Sequence, residues 1–331
     1  MDSSRNALGE YHSEVAMVLN RIGNFHFERE HFDEAFKAYS KGLEVERMAL
    51  EKDHPNIVVT LCNLGEIHRQ KKEWSLAISL LREALEIQQR LYDGQDNVEI
   101  AASLHVIGAT YDKMGETGHA LKYLQASLVM RRNILGDDDI EVAASLISIG
   151  MLLSRGNKFK VAMDVFHEAL RIRIASLGKD HHDVVFTLYN IALIHQKQGT
   201  TEKAIEHFTT VLNIERHVLG EHHKDVAITL YKLGESYKQS NNLDKSLQYF
   251  QEALVIERQT MKDEDPITIA RTLNEIGNIY LAKREILPMM EAFTEAARIY
   301  EASRLSSSNV VVGGKVLYGF DASHPFAAPA A

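Results

Sequence analysis

A period of 42 or 43 residues runs through most of this 331-residue chain and restricts it to a repeat architecture. The period is measured from a small residue in each repeat, and these markers are Gly23, Gly65, Gly108, Gly150, Ala192, Gly234 and Gly277. Leucine stands four residues before every marker, and an aromatic residue or leucine stands sixteen residues after it. Such constant spacing predicts one supersecondary unit that is stacked along a solenoid.

Each unit has the pattern of a helix hairpin, which is clearest between Asp225 and Gln259. Apolar residues recur at three- and four-residue steps on both sides of a polar break at residues 240–242, and this is the spacing of one helix face. Asp225 and Asn242 stand where side chains can cap the two helices. In the seventh repeat we expect the second helix to begin at Pro288, because proline is tolerated at the first helical position.

The order of these residues resembles the tetratricopeptide repeat, and the 42-residue length resembles its kinesin light chain type. The resemblance implies an all-α fold, namely a right-handed superhelical solenoid of seven antiparallel helix hairpins. The repeats are predicted at about 13–53, 54–96, 97–138, 139–180, 181–222, 223–265 and 266–304. Residues 1–12 match the remnant of a preceding repeat or linker, and residues 305–331 are predicted to be a flexible tail.

Composition excludes several classes of partner. The formal net charge of −9 argues against a general nucleic-acid binder, which needs a basic face. No apolar run approaches the roughly 18 residues of a membrane-spanning helix, and no apolar stretch follows the N-terminus as in a signal peptide. The single cysteine, Cys62, cannot form an internal disulfide, which fits a reducing compartment such as the cytoplasm.

The sequence also lacks the motifs of an enzyme. It contains no G-x-S-x-G motif and no glycine-rich phosphate loop. The histidine pairs at 181–182 and 222–223 resemble metal-ligand pairs, but they recur as linker residues once per repeat, and no cysteine completes a site. We therefore expect no catalytic activity, no cofactor and no metal.

The resemblance implies that the first helices of successive repeats line a concave face. Carried over to this chain, the candidate peptide-binding residues are Ile147, Met151, Phe186, Tyr189, Asn190, Leu193, Ile228 and Tyr231. A basic rim beside them consists of Arg155, Lys197 and Lys238. The expected partner is a protein or peptide with an aromatic or apolar anchor and acidic flanks.

Several alternatives stay open at this point. A tightly wound superhelix would bury the same apolar residues as its own core. The chain could instead be a structural scaffold that associates with itself through exposed repeat ends. The expected oligomeric state is a monomer or a weak homo-oligomer. The tail segment 317–321 could occupy the concave face, and attachment to a kinesin motor is undecided because the chain has no heptad coiled coil.

Overall fold

The computed structural model of the protein describes residues 12–261 and 265–308. In this part of the chain all regular structure is helical, and it comprises fourteen α-helices. Their bounds are α1 Ser13–Phe27, α2 Phe32–Ala49, α3 Pro55–Gln70, α4 Trp74–Leu91, α5 Val98–Lys113, α6 Thr117–Leu135, α7 Ile140–Arg155, α8 Phe159–Leu177, α9 His182–Lys197, α10 Thr201–Leu219, α11 Lys224–Gln239, α12 Leu243–Thr260, α13 Pro266–Lys283 and α14 Ile286–Ser308.

The described chain forms two compact units that meet in sequence between Ile214 and Glu215, inside α10. The first unit contains four complete hairpins, α9 and the first part of α10, and the second contains the rest of α10 and two hairpins. Within each unit, consecutive helices pair as hairpins and neighbouring hairpins stack on one another. The predicted all-α solenoid is therefore confirmed. Within the described residues, no helix combines the length and apolar character needed to cross a lipid bilayer.

The small marker residue lets the two helices of a hairpin approach closely. A Cβ atom at Gly234 would lie 2.8 Å from the ring of Phe250, well inside normal contact distance. Phe250 itself has no exposed surface. The glycine on the first helix and the large residue sixteen positions later thus form the centre of the hairpin.

A histidine opens the first helix of four repeats. The backbone N–H of Asp225 donates to Nδ1 of His223 at 3.2 Å, so His223 is the N-cap of α11. The prediction that Asp225 caps this helix is wrong, because the helix begins at Lys224 and Asp225 lies inside its first turn. Asn242 is confirmed as the cap of α12. Equivalent capping histidines are His12, His54 and His181.

A column of buried polar residues joins each repeat to the next. In every junction a polar side chain on the second helix stands opposite a serine or threonine that lies five residues before the next marker. For example, Ser103 Oγ donates to Gln88 Oε1 at 2.7 Å, and Arg173 Nη1 donates to Thr187 Oγ1 at 3.0 Å. The six pairs are Glu46–Thr60, Gln88–Ser103, Arg131–Ser145, Arg173–Thr187, Glu215–Thr229 and Glu257–Thr272.

This junction column was missed by sequence reasoning, although the signal was present. Serine or threonine recurs at the same offset in six consecutive repeats. Buried polar groups are normally hydrogen-bonded, so a strictly periodic hydroxyl within an apolar pattern indicates a partner in the neighbouring repeat.

The last hairpin differs from its prediction at one point. Helix α14 begins at Ile286, two residues before Pro288, so the expected start at Pro288 is wrong. The first four N–H groups of a helix have no partner within it, and a proline in the first turn therefore breaks no hydrogen bond. Residues 305–308 continue α14 to its end, whereas the rest of the predicted tail, 309–331, and residues 1–11 lie outside the described residues.

Candidate functional site

The first helices of neighbouring repeats lie side by side and form the wall on which the candidate residues stand. In the first unit, α7 is in contact with both α5 and α9. His105 Nε2 on α5 lies 3.3 Å from Ser148 Oγ on α7. In the second unit, Lys238 on α11 donates to Glu275 on α13 at 2.6 Å. Each unit therefore presents a continuous surface of first helices.

Most of the predicted apolar residues on α7 and α9 are half-buried, and we call four of them the strip, namely Met151, Phe186, Tyr189 and Leu193. Met151 and Phe186 are half-buried, and both pack against a core cluster to which Ile147 belongs. Ile147 is only 5% exposed, so it supports this strip from beneath and offers little surface of its own. Leu193 is half-buried further along α9.

The two candidate tyrosines have a structural role as well. The ring of Tyr189 packs edge-on against Phe208, with 5.4 Å between ring centroids, in the first unit. In the second unit, Tyr231 packs in the same way against Phe250 at 5.2 Å. Burial, followed by the charge of Glu235, raises the pKa of Tyr231 above its ordinary value. Each ring thus packs inside its own hairpin and is half-buried.

Two further candidate residues lie outside this strip. Asn190 Nδ2 donates to the backbone oxygen of Phe186 at 2.8 Å, so part of its hydrogen-bonding capacity is used inside α9. Ile228 on α11 is half-buried in the second unit.

Intramolecular ion pairs already neutralise most of the predicted basic rim. Arg155 pairs with Asp112 of the preceding repeat, and Lys238 pairs with Glu275 of the following one. Lys197 is exposed and forms no ion pair with any of the described residues. Sequence reasoning missed the two acids because they lie 43 and 37 residues away from their partners.

The histidines and the cysteine offer little chemistry. Among the described residues, His181, His182 and Asp183 have ligand atoms within 4.8 Å of one another. However, Nδ1 of His181 accepts the backbone N–H of Asp183 at 3.2 Å as a helix cap, which removes one of its two possible ligand atoms. Burial raises the pKa of the Cys62 thiol to about 11, helped by the charge of Glu99, so the thiol is a poor nucleophile at neutral pH.

Comparison with known proteins identifies the family of this chain. A family profile described as a tetratricopeptide repeat matches residues 14–90, 60–133, 99–175, 162–214 and 183–257. Comparison with curated protein sequences found no significant match.

Several solved structures share the fold. BtubC (BKLC) from P. vanneervenii is 19% identical with a TM-score of 0.60, and the match covers 73% of this chain and 94% of BtubC. The nearly identical TPR-like repeats of a Podosopora anserina kinesin light chain are 16% identical with a TM-score of 0.55, covering 63% of this chain and 99% of that one. The apo form of RapI is 16% identical with a TM-score of 0.63, covering 87% and 99%. The repeat pattern, the stacked hairpins and the profile match agree, and this chain belongs to the tetratricopeptide repeat family.

Proposed function

We propose that this protein is a non-catalytic adaptor similar to the repeat domain of kinesin light chains. It binds an extended segment of a partner protein against its first helices. Membership of the tetratricopeptide repeat family supports a role in protein–protein interaction. The observation that carries the finer proposal is the strip of Met151, Phe186, Tyr189 and Leu193, four half-buried side chains on two first helices that are in contact. Met151 and Phe186 pack against the core with part of their surface, and the rest of that surface is left for a partner.

The proposed partner contributes an aromatic or apolar anchor to this strip. Aromatic anchors in well-packed sites dominate the energy of such interfaces. An acidic flank of the partner would meet Lys197, since Arg155 and Lys238 are held by Asp112 and Glu275. We place the protein in the cytoplasm, in keeping with its free thiol.

The combined substitution Tyr189→Ala and Tyr231→Ala tests the proposal. We expect it to weaken binding of an anchor-bearing peptide, selected on the wild-type protein from a random library, by about 2 kcal/mol or more. Binding is measured by fluorescence anisotropy, and helix content by circular dichroism. The matched control is Val161→Ala with Val255→Ala, two exposed residues on second helices.

Because both tyrosines also pack inside their hairpins, Leu193→Ser serves as a second variant. Loss of binding in this variant with full helix content supports the proposed strip. Undiminished binding in both test variants, or an equal loss in the valine control, would contradict it.

A second candidate function is self-association through the last hairpin. Leu287 is 76% exposed at a position where the inner repeats have charged or small residues. Ile286 and Met290 beside it are 55% and 56% exposed. An exposed apolar patch of this kind favours contact with another protein surface.

The proposed contact is symmetric and joins two α14 helices, because a two-fold interface uses the same patch on both copies. We expect Leu287→Lys with Met290→Lys to abolish any concentration dependence of the sedimentation coefficient. A dimer that survives this substitution would exclude the α14 contact.

A further inference from the structure

Three repeats place a pair of stacked rings between their two helices. One ring comes from the residue three positions after the marker, and the other from the residue fifteen positions after it. The pairs are Tyr111–Tyr123 with ring centroids 5.5 Å apart, His195–His207 at 5.5 Å and Tyr237–Tyr249 at 5.3 Å. The planes of the two histidines differ by only 5°. Of these three repeats, only the fifth has two imidazole rings, and an imidazole takes up a proton near neutral pH.

The surroundings of the histidine pair favour the neutral form of both imidazoles. His195 Nδ1 lies 2.8 Å from the hydroxyl of Thr200 in the turn of the hairpin. Lys203 on α10 and His167 on α8 both act on the pair as positive neighbours, and Glu206 on α10 acts as the single negative one. Burial, which is the largest effect, and these positive neighbours lower the pKa of both imidazoles.

We propose that the stacked pair of His195 and His207 is an acid-sensitive latch that holds the α9–α10 hairpin closed. Each imidazole takes up one proton from solvent, and two cations then face each other at 5.5 Å with Lys203 and His167 nearby. Glu206 compensates only one of these charges. Repulsion between partly buried like charges is stronger than in water, so the two helices separate more readily at the end of the hairpin near Thr200.

The direction of the pH effect follows from linkage. The folded hairpin binds fewer protons than the unfolded chain when the pH falls below the ordinary histidine value of 6.5. Its stability is therefore present at neutral pH and is lost on acidification. If the proposed function is correct, the same step loosens the strip of Phe186, Tyr189 and Leu193, since these residues stand on α9.

The chain supplies its own matched control, because the third and sixth repeats use tyrosines at the same two positions. We compare the wild-type protein with His195→Tyr, His207→Tyr by hydrogen–deuterium exchange at about pH 7.5 and about pH 5.5, corrected for the intrinsic exchange rate. In the wild type we expect exchange of the α9–α10 hairpin to increase by about tenfold more on acidification than exchange of the α5–α6 and α11–α12 hairpins. In the tyrosine variant this difference should disappear. Both proteins retain the four histidines that cap first helices. Any loss of these caps on acidification therefore affects both proteins equally.

An equal response of the two proteins, or a wild-type hairpin that does not respond to acid, would overturn the latch. Should the tyrosine variant fail to fold, NMR titration of the wild-type histidines decides the question. The latch requires His195 and His207 to titrate as a coupled pair below the ordinary value, and independent titration at that value rejects it. These readouts involve no partner, so they are separate from the tests of peptide binding.

Discussion

Replacing Phe250 by alanine is expected to reduce the free energy of unfolding of its hairpin by about 3–5 kcal/mol. The ring has no exposed surface, and it lies against the position of Gly234 and edge-on to Tyr231. Alanine would leave a cavity between α11 and α12 that the surrounding backbone can close only in part. Urea denaturation followed by circular dichroism at 222 nm measures the change.

Val255 on the same helix provides the control, because it is 54% exposed. Val255→Ala should change stability by no more than about 0.5 kcal/mol. A loss in Phe250→Ala as small as this would mean that the ring is not the centre of the hairpin, and the same assignment would then be in doubt for Phe166 and Phe208.

Replacing Glu215 and Glu257 by glutamine should stabilise the protein at pH 8, by about 1–3 kcal/mol for each site. Burial raises the pKa of Glu215 to about 8 and that of Glu257 to about 7, from an ordinary value of 4.5. The hydroxyls of Thr229 and Thr272 beside these carboxyl groups offset only part of this effect. Glutamine retains the shape and the hydrogen-bonding capacity of the side chain without its charge.

The sign of the pH dependence follows from these two groups. A carboxyl group whose pKa is raised on folding binds more protons in the folded protein than in the unfolded chain. The stability contributed by Glu215 and Glu257 therefore increases as the pH falls from about 8 toward 4.5.

The measurement is urea denaturation at about pH 8 and about pH 6.5, a window that lies above the acid range of the histidine latch. The wild type should be more stable at the lower pH, and the double glutamine variant should show little difference. Glu291→Gln, an exposed site, is the control. If the wild type gains no more stability than the double glutamine variant between pH 8 and 6.5, these carboxyl groups are ionised in the folded state.

The sequence alone was sufficient for the repeat architecture. A marker at Gly234 with a large residue at Phe250, repeated every 42 or 43 residues, leaves no fold but stacked hairpins, because the pattern has the helical period on both sides of a short polar break. The break at residues 240–242 falls where the structure ends α11 and begins α12. Periodicity determines such features because they depend on contacts within about 25 residues along the chain.

The candidate site was predicted less completely. The strip on α7 and α9 could be assigned to first helices from the family resemblance, but its solvent exposure could not. Ile147 and Met151 have equivalent apolar character in the sequence, yet the structure places Ile147 in the core and leaves Met151 half-buried. The difference depends on which side chains of neighbouring repeats cover each position.

The tertiary structure alone decided which polar groups meet. It selected His223 and not Asp225 as the cap of α11, because capping depends on where the backbone enters its helical conformation. It paired Arg155 with Asp112 and Lys238 with Glu275, and it brought His195 and His207 face to face. Apolar burial follows a period that can be read along the chain, whereas hydrogen bonds and ion pairs require particular atoms to come within about 3 Å, and only the three-dimensional packing of the helices sets that distance.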